Sequence, residues 1–331
     1  MNNFKKIGMT ALAASLVSTS VFAGEMTVAG SASMGMSGHS GTALNEATAF
    51  SMGNQLTFSG SGELDNGMTV SLSFVLDQGD NETAVATSEG TSPFDSHSVS
   101  VASDALGTLV FHGEGGSSAA SALDTTAAGN MWDNFNSNGG VSVSDSAPGD
   151  NSIFYTAPEL MDGLSVSASY NPSISGGASG TAGNSTELGL SATYTGVDGL
   201  SLSYGVTDMD SAGTATDGDQ TAWKASYVYG SVTVSATNSE YDVTGTASDQ
   251  EVSSYKVAYA VTDDISIGYG SESISTSTTG ELDAEYDGFN ASYTAGGMTI
   301  SANMQDGTEI AHTTAVGEDV EYWSLGLSFA F

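Results

Sequence analysis

The chain contains no arginine, and its four basic residues are Lys5, Lys6, Lys224 and Lys256. Against them stand 39 acidic residues, for a formal net charge of −35. Such a surface attracts cations and repels nucleic-acid backbones, which argues against a nucleic-acid partner. Cysteine is absent as well, so no disulfide braces the fold. Proline is scarce, at 4 residues, whereas glycine reaches 42. Scarce proline suits long, uninterrupted hydrogen-bonded strands. No apolar run is long enough for a spanning helix. His39, His97, His112 and His312 are scattered without metal-ligand spacing. There is no nucleophile elbow and no phosphate-binding loop. The residues therefore argue against an enzyme, and no cofactor is required.

What is present begins with a processing signal. Residues 1–23 carry Lys5 and Lys6, then an apolar to small-residue stretch, then the cleavage box Val21-Phe22-Ala23. The reading is a secretory signal peptide followed by one domain over 24–331. Acidity this strong would also suit a disordered chain. Regular spacing of aromatic and aliphatic residues argues for folding instead.

That spacing has period two. LSVSASY at 164–170 places Leu164, Val166, Ala168 and Tyr170 on one face and serines on the other. LSLSYGV at 200–206, YKVAYAV at 255–261 and ISIGYGS at 265–271 alternate likewise. The chain ends on EYWSLGLSFAF, in which Trp323, Leu325, Leu327, Phe329 and Phe331 share one parity. Connections alternate in length. Asp198-Gly199, Tyr229-Gly230, Asp263-Asp264 and Gly296-Gly297 are tight, whereas 172–185, 208–220, 242–251, 274–283 and 306–319 are long and polar. The spacing predicts an all-β, transmembrane antiparallel β-barrel of sixteen strands. They start near Met26, Thr48, Met68, Ser96, Gly107, Ser152, Leu164, Thr186, Leu200, Gln220, Ser231, Glu251, Ile265, Ala284, Met298 and Val320. Fourteen or eighteen strands fit the same boundaries, and a secreted β-sandwich or β-solenoid is the rival fold. An even count brings both termini to the short-turn end and permits closure, which removes unpaired edges. Residues 115–150 form the longest stretch without a clear strand. A loop of that length folds inward to narrow a lumen, acts as a lid, or only shields the surface.

These pieces resemble a Gram-negative general porin of alphaproteobacterial type. NSIFYTAPELMDGLSVSASY (151–170) is similar to the family's strand, proline and apolar-glycine turn, with Asn151, Ser152, Ile153, Tyr155, Pro158, Leu160, Gly163 and Leu164 in matching places. QLTFSGSGELDNGMTVSLSF (55–74) resembles its second and third strands, LGTLVFHGE (106–114) its fifth, and Phe331 its C-terminal assembly signal. The resemblance implies a homotrimer in the cell outer membrane, inserted by the outer-membrane insertion machinery and surrounded by lipid. It implies a water-filled channel for passive diffusion of small hydrophilic solutes and ions. It also implies that the third long loop, here 115–150, folds inward as the constriction. Relatives commonly place arginines and lysines on the wall facing that loop. Without arginine this basic half cannot exist, which points to cation preference. The alternative is a secreted or surface-attached acidic structural or adhesive β-protein.

Candidate pore residues are Glu114, Asp124 and Asp133, because carboxylates in a narrow bore favour cations. Surface solvation of the two aspartates is the competing reading. Met131, Trp132 and Phe135 are candidate loop anchors, since aromatics in a polar loop need a packing reason; a subunit or lipid contact is the other. Asp208, Asp210, Asp217 and Asp219 offer a weak calcium or magnesium site if their loop curls back. A solvated acidic loop is the stronger reading of the same residues.

Overall fold

The computed structural model describes residues 26–41, 48–77, 94–123, 125–143, 151–172, 186–210, 217–244, 248–313 and 319–331. The proposed signal segment and Asp124 lie outside them. Sixteen strands are present: β1 (Thr27–Gly41), β2 (Thr48–Glu63), β3 (Thr69–Asp77), β4 (Phe94–Ser103), β5 (Gly107–Glu114), β6 (Ser152–Thr156), β7 (Leu164–Asn171), β8 (Thr186–Tyr194), β9 (Leu200–Asp210), β10 (Gly218–Tyr229), β11 (Val232–Val243), β12 (Gln250–Ala260), β13 (Ile265–Thr276), β14 (Ala284–Ala295), β15 (Met298–Thr308) and β16 (Asp319–Ala330). Each starts within two residues of its expected position. Each pairs with its sequence neighbours, and β1 pairs with β16, so the sheet is a closed barrel. Every neighbouring pair is antiparallel, as hairpin connections require.

The period-two pattern sorts side chains onto two faces. Leu190, Leu202, Tyr204, Trp223, Val234, Tyr255, Val257, Ile267 and Phe289 are exposed on one. Ser, Thr, Gly and Asn dominate the other. Register locks neighbours face to face: Phe58 lies opposite Phe74, and their rings stack with centroids 4.7 Å apart. A one-residue slip would turn both onto the polar face. On β16, Trp323, Leu325, Leu327 and Phe329 lie opposite Gly38, Met36, Met34 and Ala32 of β1. Closure thus extends the apolar face across the seam.

One end of the barrel carries the tight turns. Gly163 holds one of them at φ 74°. A Cβ there would strike the backbone of Gly196 in the next turn. Only glycine satisfies both the left-handed angle and this approach. The opposite end carries the long connections, of which 115–123 and 125–143 are described.

Candidate functional site

The segment after β5 meets the polar face of strand after strand. It contains a 3-10 turn at Ser121–Leu123 and a longer 3-10 stretch at Met131–Asn138. Asn130 enters the second with φ 54° and Gly139 leaves it with φ 83°. The Ala119 amide donates to Ser169 Oγ of β7 at 2.8 Å. Ser118 Oγ lies 3.4 Å from Thr207 Oγ1 of β9. Lys224 Nζ of β10 donates to the Thr125 carbonyl at 2.9 Å. The Ala127 amide donates to Thr237 Oγ1 of β11 at 3.0 Å, and the Ala128 amide to Ser254 Oγ of β12 at 2.9 Å. Asn134 Nδ2 donates to Gln305 Oε1 of β15 at 3.0 Å, and His39 Nε2 of β1 donates to the Asn134 carbonyl at 2.7 Å. The wall side chains thus satisfy loop amides that no regular sheet partner reaches.

Glu272 of β13 is the central fastening. Its side chain is 1% exposed. One carboxylate oxygen accepts from Thr126 Oγ1 at 2.5 Å, and the other accepts from the Trp132 amide at 3.2 Å. Charge-assisted bonds of this kind offset the cost of burying the carboxylate.

Beside Glu272 the polar face turns apolar. Val252, Ile274, Ala284, Tyr286 and Val320 share parity with the serines, glycines and asparagines of their strands, yet all are buried. With Ile310 they enclose Met131 and Phe135, which are 2% and 0% exposed. Trp132, Val141, Val143 and Tyr322 pack on this cluster partly buried. The Phe135 ring sits 5.2 Å from that of Tyr286 and 6.2 Å from that of His39. Glycines make the close approach feasible. A Cβ at Gly205 would come 3.0 Å from Ala120 Cα, and one at Gly270 would come 2.8 Å from Ala128 Cβ.

The acidic candidates are dispersed. Glu114 ends β5 beside a register shift between His97 and Ser98. Its carboxylate lies 4.0 Å from His97 Nδ1. Asp133 is exposed, and its Oδ1 accepts from Asn136 Nδ2 at 2.8 Å. Asp208 and Asp219 stand directly opposite on β9 and β10, on the parity of Leu202 and Tyr204, and Asp210 shares that parity. Asp217 precedes β10. Among the described residues no group of three or more His, Cys, Asp or Glu side chains is placed to hold a metal ion.

His39, Thr237, Ser254, Glu272 and Gln305 were missed by sequence reasoning. The wall cluster did leave a trace: Val252, Ile274, Tyr286 and Val320 are large apolar residues on the polar parity near the loop end of their strands. Glu272 left none, because a lone carboxylate among serines reads as solvated.

The comparisons agree with this architecture. No curated protein matches the chain significantly. Among solved structures, a porin refined at 1.8 Å shares 21% identity at a TM-score of 0.66, covering 93% of this chain and 100% of that one. A variant of Rh. blastica porin shares 19% at a TM-score of 0.64, with 93% and 100% covered. An anion-selective porin from Comamonas acidovorans shares 14% at a TM-score of 0.70, covering 93% of this chain and 99% of that one. Identities this low speak for the fold alone. The profile of the family described as Gram-negative porin matches residues 8–331, and the chain belongs to that family.

Proposed function

We propose that this outer-membrane barrel is a passive channel for small hydrophilic solutes and ions, that it prefers cations, and that residues 115–143 narrow its bore. Porins are non-catalytic channels, and in such a barrel the apolar face meets lipid while the polar face lines water. The observation that carries the reading is the row of bonds from Ser169, Thr207, Lys224, Thr237, Ser254, Glu272 and Gln305 to one short segment. All these side chains share the polar face, so the segment they hold occupies space that the bore would otherwise have. Burial of Met131 and Phe135 supports their role as anchors.

Cation preference rests on the charge inventory. One relative is named as anion-selective; this chain has no arginine with which to line a basic wall. Lys224 is committed to the Thr125 carbonyl. Glu114, Asp124 and Asp133 are the proposed constriction carboxylates. Residues 1–23 are read as the export signal, and Trp323 to Phe331 as the assembly signal. The homotrimer that the resemblance implies is part of the same reading. Nothing in the closed barrel or the family match favours the adhesive alternative.

Reversal potential in a planar bilayer under a potassium chloride gradient tests the assignment. Potassium should permeate better than chloride, and neutralising Glu114, Asp124 and Asp133 together should reduce the difference. Chloride preference in the parent protein would overturn it.

A further inference from the structure

The outward face of β14 to β16 is built in rows. Asp287, Asp306 and Glu321 stand opposite one another across the three strands, and all three are exposed. Two residues closer to the tight turns, Phe289, Met304 and Trp323 form the next row, and Ala291, Ala302 and Leu325 form the one after it. Directly apposed like charges repel, so the first row costs stability until a cation lies on it. Neutral hydroxyls reach two of its members: Tyr269 Oη donates to Asp287 Oδ1 at 2.8 Å, and Ser40 Oγ donates to Glu321 Oε2 at 2.6 Å. No basic side chain answers the row, because Lys224 and Lys256, the two lysines among the described residues, stand opposite Ser203 and Ser235 on the polar face.

Below the carboxylates the same wall is hollow. A concave site of about 550 Å³ runs from Asp306 and Glu321 past Met304 and Trp323 to Ala302 and Leu325. A second, of about 450 Å³, continues it sideways over Ala291 and Ala302, bounded by Tyr259, Ile267, Tyr269 and Phe289. The two share Ala302 and Met304. Small alanine side chains between larger neighbours make the hollow. The carboxylate row and the alanine row are four residues apart, about 13 Å along the strand, against roughly 15 Å for the hydrocarbon of one leaflet.

We propose that this trough docks one lipid molecule with a primary-ammonium headgroup, its acyl chain lying over Ala302 and Ala291 and its ammonium on Asp306 and Glu321. The proposal rests on the outer-membrane barrel, which turns this face to lipid, and is independent of what the bore conducts. It goes further by naming one binding place on that face and the headgroup it selects.

Charge complementarity chooses the occupant. An ammonium group offers three N–H donors to carboxylates that can only accept. Trp323, one row below, is the kind of amphipathic ring that sits at headgroup level and attracts a cation. An anionic headgroup would be repelled by the row, and a choline headgroup has the charge but no N–H to donate. A bare metal ion fits less well: among the described residues no three His, Cys, Asp or Glu side chains are placed to hold one. The cation that answers this row therefore arrives attached to a molecule that the apolar part of the trough retains.

The test uses the full-length folded barrel, delipidated in detergent. Native mass spectrometry counts bound lipid during titration with phosphatidylethanolamine, phosphatidylcholine and phosphatidylglycerol of identical acyl chains, the last with and without magnesium. One variant combines Asp306→Asn with Glu321→Gln, which removes charge with little change of shape. A second, Ala302→Phe, fills the trough. Heat-modifiable migration reports folding. Expected is one phosphatidylethanolamine bound per parent barrel, with apparent affinity about tenfold lower in either variant and about tenfold lower for phosphatidylcholine on the parent. Equal binding of phosphatidylethanolamine and phosphatidylcholine would overturn the choice of headgroup and with it the proposal. Tightest binding of phosphatidylglycerol in magnesium would assign the row to metal-bridged phosphate and also overturn it. Equal retention of phosphatidylethanolamine by the parent and both variants would show that the trough is not the site. If the double variant does not fold, Glu321→Gln alone carries the same comparison.

Discussion

Phe331 and Gly30 exchange two backbone hydrogen bonds, 2.7 Å from the Gly30 amide and 2.9 Å from the Phe331 amide. The Phe331 ring also occupies the space above Gly30 where a side chain would project. The last residue of the chain thus completes the seam with the first strand.

Deleting Phe331 should lower the folded outer-membrane fraction while leaving export intact. The two bonds together contribute about 1–3 kcal/mol to closure, before any role in recognition by the insertion machinery. Gly30→Val should act in the same direction by displacing the ring. Heat-modifiable migration of membrane fractions checks both, and equal folded amounts in variant and parent would refute the seam's importance.

Replacing residues 118–143 with a short Gly-Ser link should raise single-channel conductance and admit larger neutral solutes. The barrel should still fold, because the strand ladder does not depend on the segment. Unchanged conductance in a folded variant would place the segment outside the current path.

Glu272→Ala removes the acceptors of Thr126 Oγ1 and the Trp132 amide. Each buried donor left without a partner costs about 1–3 kcal/mol, so the segment should loosen locally. Phe135→Ala should loosen it more, by about 3–5 kcal/mol, since the ring is fully buried. Trp132→Ala should be milder, because Trp132 is only partly buried. Chymotryptic nicking within 115–143 and current noise report the loosening. Wild-type nicking rates in the Glu272 and Phe135 variants would show that other contacts hold the segment.

Cation preference should weaken as salt rises. The screening length falls from about 10 Å at 0.1 M to about 3 Å at 1 M, shorter than the radius of a hydrated bore. Reversal potentials at a fixed salt ratio, measured at both concentrations, check this. A preference that does not change with salt would point to close coordination instead of a diffuse field.

The strands were legible because their signal is local. Leu164, Val166, Ala168 and Tyr170 announce a face within seven residues, and Asp198-Gly199 marks the tight turn between β8 and β9. The seat of the 115–143 segment was not legible, because its partners are remote in the chain. Thr126 and Glu272 are 146 residues apart, and no periodicity joins them. The length of the segment signalled that it had a role, but only the barrel's curvature brings Ser169, Thr237, Glu272 and Gln305 to the same strip of backbone. The apolar intrusions Val252, Ile274, Tyr286 and Val320 lay between these cases: visible as exceptions to alternation, but without a stated partner.

The chain's own residues determined the period of the strands, the alternation of short and long connections, and the sign of the electrostatic field, since charge inventory does not depend on how the chain folds. Tertiary structure decided closure through Phe331 and Gly30, the choice of Glu272 as the fastening, and the division of the serines into paired and unpaired. Ser266 and Ser73 occupy the same kind of alternating strand, yet Ser266 finds Ser292 at 2.8 Å and Ser73 has no side-chain hydrogen bond among the described residues. Both face serines across the sheet, so register, a relation between strands that neither strand encodes alone, sets which hydroxyls can meet, and the way each side chain turns in the folded wall decides which do.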